Sequence, residues 1–116
     1  MSIQKYCKIA AFFAALFVAS SLDAQVVYKT SFKEDAQVKV YVTEYKMDAD
    51  VVVYKTPFIH NADGNNGIWF FTPYQGEANK RILFVPSAVN ADLIVYWTNV
   101  KEEAGWMNKK KKYLMR

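Results

Sequence analysis

Six carboxylates in this 116-residue chain, Asp35, Asp48, Asp63, Glu77, Asp92 and Glu103, recur beside alanines at near-regular spacing. Two carboxyls held about 5 Å or about 6.5–9.5 Å apart can hydrolyse a glycoside. Catalytic groups are usually unique in a chain, however, and a residue repeated at every corner is usually structural. His60 is the only histidine and Cys7 the only cysteine. A nucleophilic triad or a zinc site would need further such residues near His60, so His60 reads as an exposed loop residue. Asn61, Asp63, Asn65 and Asn66 resemble an alternating calcium loop. That loop needs glycine where Asn66 stands and glutamate where Thr72 stands, so a turn built on Asx side chains, Gly64 and Gly67 is expected. No metal or other cofactor is expected. Trp69, Trp97 and Trp106 could stack on sugars, although in a small domain such rings usually form core.

The one charge block is Lys109, Lys110, Lys111 and Lys112, in a chain of formal net charge +4. Such a block can hold an anionic glycan or membrane surface weakly. No nucleic-acid-binding motif accompanies it, and nucleic acid is not an expected partner. Residues 109–116 continue none of the preceding alternation and read as a solvated basic tail that adds almost nothing to folding.

The N-terminus reads as a targeting segment. Lys5 and Lys8 precede an unbroken apolar run at residues 9–18, too short to cross a bilayer as a helix, and Leu22 and Ala24 suit signal peptidase. Residues 1–24 are therefore expected to be a Sec-type signal peptide, with the protein periplasmic or extracellular. Cys7 lies ahead of the apolar run, which argues against lipidation there. The remaining chain holds no cysteine, so burial and hydrogen bonding must replace the disulfides common in small exported domains.

The elements behind these residues are a repeat. Ala36, Ala49, Ala62, Ala78, Ala91 and Ala104 are spaced 13, 13, 16, 13 and 13 residues apart, the long interval holding a three-residue insertion at residues 64–67. Between corners lie β-branched and aromatic runs bounded by turn formers, as in VVYKTSF at residues 26–32 and VVYKTPF at 52–58. Six strands follow, at residues 26–32, 38–45, 51–58, 67–74, 81–87 and 93–100. Val40, Val53, Trp69, Ile82 and Val95 form the inferred core face. Tyr41, Tyr54, Phe70, Leu83 and Tyr96 lie opposite. Neither face is plainly polar, so the outer one is expected to be partly covered by the same chain. Small alanines would let tight bends approach the core, with the flanking Asp and Asn side chains capping nearby backbone.

The corner pattern, strands of the form V-x-V-Y-x-T-x-[FY] and the closing Ala104-Gly105-Trp106 resemble a small bacterial family of exported β-repeat chains of unknown function. That family is associated with a seven-crossing torus knot, the septafoil. The resemblance spans residues 26–108, and no functional residue transfers with it. It implies an all-β fold whose six short strands, in 13-residue repeats, form a compact closed two-lap, pseudo-threefold assembly, wound as a deep knot. An unknotted two-lap solenoid or small closed sheet would satisfy the same repeat. Domain organisation is then a signal peptide (1–24), a β-repeat domain (25–108) and a basic tail (109–116). The functional expectation is a non-enzymatic, exported structural or interaction module. A glycan or anionic-surface binder is the alternative, and a hydrolase follows well behind.

Overall fold

The computed structural model describes residues 25–62 and 64–116. The expected signal peptide, residues 1–24, and corner residue Asp63 lie outside the described residues. Seven strands form: β1 (Val26–Lys29), β2 (Val38–Val42), β3 (Val51–Lys55), β4 (Ile68–Phe71), β5 (Lys80–Phe84), β6 (Leu93–Thr98) and the short β7 (Gly105–Trp106). Pairing runs β4-β1-β5-β2-β6-β3, and β3 also pairs with β4, which closes a six-stranded barrel. Every barrel pairing is parallel. The first lap (β1–β3) and the second (β4–β6) therefore alternate around the barrel. This is the expected closed two-lap, pseudo-threefold assembly.

Each strand divides its ladder between two neighbours. In β2, Val38 to Val40 pair with β5, and Val40 to Val42 pair with β6. In β1, Val26 and Val27 pair with β4, and Val27 to Lys29 with β5. A half-paired strand leaves N–H groups exposed on its other edge, and buried ones must find partners. The residue after four of the six corner alanines supplies them. The Asp92 carboxylate accepts from Lys39 N–H at 2.9 Å, and Asp92 N–H donates to Lys39 C=O at 2.8 Å. Asn79 grips Val26 in the same two-point way, Gln37 grips Arg81, and Asp50 grips Ile94. These corner side chains were expected to cap nearby backbone. They bind backbone 44 or 53 residues away instead, because the interleaved laps bring the other lap closest.

The strands end earlier than their composition predicts. A threonine stops five of the six ladders: the hydroxyls of Thr30, Thr43, Thr56, Thr72 and Thr98 accept from the N–H two residues on. Such local bonds compete with sheet pairing. A three-residue 3-10 turn follows, closed at each of the six corners by the alanine N–H donating to the carbonyl three residues back. In the fifth repeat, where Val85 replaces threonine, Ser87 accepts from Val89 N–H and caps the turn. The turns at Ala88–Asn90 and Lys101–Glu103 lie against β2 and β3.

The inner face is as the alternation predicts. Val40, Val53, Trp69, Ile82 and Val95 are fully buried, joined by Val27, Val38, Val51 and Leu93. The opposite set, Tyr41, Tyr54, Phe70, Leu83 and Tyr96, is half-buried. Ala49 is buried behind its corner, so Ala49→Leu is expected to overpack the bend and cost about 1–3 kcal/mol. Lys46→Leu, three residues away, removes only an exposed ion pair with Glu103 and should cost under about 1 kcal/mol. Urea titrations of the two variants measure the difference, and equal midpoints would count against tight corners.

The largest correction concerns residues 109–116. The expectation was a solvated tail, but Lys109–Met115 is a 3-10 segment docked on the barrel. Met115 is 0% exposed within the core cluster, and Leu114 packs against it. Met115 C=O accepts from the Gln25 side-chain amide at 2.7 Å, and Lys112 C=O from that of Asn65 at 2.9 Å. The Lys111 ammonium meets the Asp50 carboxylate at 3.2 Å. All these partners precede strands, so the segment closes the end where the parallel strands begin. A barrel of alternating side chains leaves an apolar opening there, and Leu114 and Met115 fill it.

Candidate functional site at the barrel mouth

The opposite end, where the strands finish, has a different composition. Two residues beyond the central core layer stand Lys29, Val42 and Lys55 from the first lap and Phe71, Phe84 and Trp97 from the second. Because the laps alternate, aliphatic or cationic residues alternate with aromatic ones around the mouth. The three aromatics belong to non-adjacent strands, yet their rings meet. Phe71 and Phe84 stack with centroids 6.5 Å apart, and Trp97 meets them edge-on at 6.1 and 6.3 Å. Trp69 lies beneath, 6.2 Å from Phe71 and 6.1 Å from Trp97. The result is an aromatic lid that closes the barrel from inside and remains half-exposed outside.

Two ammonium groups lie on that lid. Lys55 Nζ stands 4.2 Å from the Trp97 centroid and 5.6 Å from that of Phe71, and Lys29 Nζ stands 5.6 Å from Phe84. Among the described residues neither lysine has a carboxylate partner. The mouth can therefore offer half-exposed aromatic rings, among them Trp97, and two positive charges to one ligand. Neither lysine was singled out by sequence reasoning. The signal that could have found them is their repeat phase, six places after the corner alanine for Lys55, in register with Phe71, Phe84 and Trp97.

The residues that were singled out are dispersed. The three tryptophans do not make one stacking surface: Trp69 is buried, Trp97 lies at the mouth, and the Trp106 indole N–H donates to Asn65 near the docked segment. In the Asx turn, Asn65 holds Trp106 and Lys112, while Gly64 and Gly67 take positive φ. A Cβ on Gly67 would lie 2.5 Å from Val52 C=O, so only glycine fits there. His60 is exposed and stacks on Phe58. Of the lysine block, Lys111 is tied to Asp50 and Lys112 is half-buried, which leaves Lys109 and Lys110 exposed.

Three of the six corner carboxylates, and Asp50 beside them, have identifiable tasks. Asp92 holds Lys39, Glu77 accepts from the Thr72 hydroxyl, and Glu103 accepts from Thr98 and pairs with Lys46. Asp50, one place past Ala49, binds Ile94 N–H, Asn108 and Lys111. Asp35 and Asp48 sit exposed in their turns. A hollow of about 430 Å³ opens away from the mouth, on the outer wall between Lys33, Lys39, Leu83, Val85 and Asn90.

The sequence model described as the 7(1) septoil knot domain matches residues 24–107. The chain belongs to this family. The resemblance carried by the alanine corners and strand pattern is thereby confirmed, and interleaved laps are what a chain wound twice about one axis produces. No curated protein and no solved structure is significantly similar to the chain. The septoil match ends before the docked Lys109–Met115 segment. It includes every residue of the aromatic mouth, so the mouth is built by the septoil domain itself.

Proposed function

We propose that this septoil domain is a non-enzymatic, exported structural or interaction module, delivered by a Sec-type signal at residues 1–24. The observation that carries the reading is the use of repeated polar groups as long-range clamps. Asp50 and Asp92 hold backbone N–H groups of the other lap, and Glu77 and Glu103 hold threonines that end strands. A carboxylate fixed in this way is a structural acceptor rather than a mobile acid or base. The rigid body so formed suits presentation of a surface.

The test pairs chemistry with stability. Incubation of residues 25–116 with neutral and acidic polysaccharides is expected to release no reducing ends. Asp92→Ala removes the side-chain acceptor of Lys39 N–H, a bond open to water, and should lower stability by about 0.5–1.5 kcal/mol. Reducing ends released by the parent protein, and abolished by Asp92→Ala without loss of stability, would replace the module by a hydrolase.

A further inference from the structure

We infer that the aromatic mouth binds an acidic sugar, with the uronate units of a polysaccharide as its ligand class; the inference rests on the interaction-module reading. Barrel mouths are common ligand positions, and apolar sites there gain orientation from a few polar groups. A hexuronate has both matching features: a C–H face that stacks on an aromatic ring and a carboxylate at its edge. The half-exposed Phe71, Phe84 and Trp97 supply the floor, and Lys29 and Lys55 supply the cations.

The internal partner of each lysine is weak enough to release. An exposed cation–π contact is weak, and a carboxylate offers the ammonium a charge-assisted hydrogen bond in its place. An incoming carboxylate can therefore draw Lys55 Nζ off the Trp97 ring, which exposes that face for the sugar. The two events reinforce each other at one place. A neutral sugar provides no such exchange and must displace the ammonium without compensation. A phosphate-rich lipid surface matches the charge but has no rigid face for the aromatic floor.

The closing experiment is a titration of residues 25–116 with tetragalacturonate, followed by tryptophan emission because Trp97 lies in the floor. Maltotetraose and phosphatidylglycerol vesicles serve as comparison probes. The acidic tetrasaccharide is expected to shift the emission and to lose at least about tenfold in affinity in the Lys29→Met/Lys55→Met variant. Methionine keeps the apolar stems, and an unchanged urea midpoint verifies that this variant folds. Lys109→Ala/Lys110→Ala should bind as the parent does. No binding of tetragalacturonate, equal binding of maltotetraose, or binding of vesicles alone overturns the proposal. So does binding lost with Lys109 and Lys110 but kept without Lys29 and Lys55. None of these results releases reducing ends, so failure here remains distinct from failure of the module reading.

Discussion

Deleting residues 109–116 is expected to destabilise the domain by on the order of 4 kcal/mol or more. Met115 leaves a fully buried site, worth about 1.5–3 kcal/mol in burial alone. The Gln25 amide, itself buried, loses its acceptor on Met115, and Asn65 loses Lys112; an orphaned buried donor costs about 1–3 kcal/mol. Small domains are marginal, with about 5–15 kcal/mol in total, so the loss takes a large share. A urea titration followed by circular dichroism measures it. Met115→Ala isolates the core contribution and should cost about 2–5 kcal/mol, whereas Lys110→Ala should leave the midpoint almost unmoved. An unchanged midpoint after truncation would show that the segment rests on the barrel without closing it.

Trp69→Ala should be the most damaging single substitution in the barrel, at about 3–5 kcal/mol. The side chain is 0% exposed, belongs to the central core and supports Phe71 and Trp97 from below. Its removal opens a cavity under the aromatic lid, so near-ultraviolet dichroism from the mouth should fall along with the urea midpoint. Trp69→Phe should cost much less. It fills part of the volume and removes an indole N–H that is buried without a hydrogen-bond partner among the described residues. Equal losses for the two substitutions would place the importance of Trp69 in its nitrogen rather than its bulk.

The core was legible because side-chain direction has a period of two along a strand, and the alanine corners fixed the phase. Val40, Val53, Trp69, Ile82 and Val95 followed directly. The docking of Met115 was not legible, since Lys109-Lys110-Lys111-Lys112 dominates its local composition and the apolar opening it fills exists only in the closed barrel. The role of Asp92 was half-visible. Its position at a corner marked it as structural, but its partner Lys39 depends on which laps lie side by side. The mouth was hidden for the same reason: Phe84 and Trp97 are separate strand ends until closure brings them against Lys29 and Lys55.

The divided ladders have a consequence for the timing of assembly. No strand of the barrel pairs with its neighbour in sequence except β3 with β4, across the Gly64–Gly67 insertion. The remaining partners lie tens of residues apart, as in Val27 with Lys80. Nothing resembling a local hairpin is available to start the process, and dominance by distant pairings slows folding. Such a chain completes few of its strand pairings until the second lap has been made. Once the last apolar plug is seated, the same architecture gives a protease no loose strand to peel away. The lifetime of the folded chain against proteolysis is then set by how seldom the whole barrel opens.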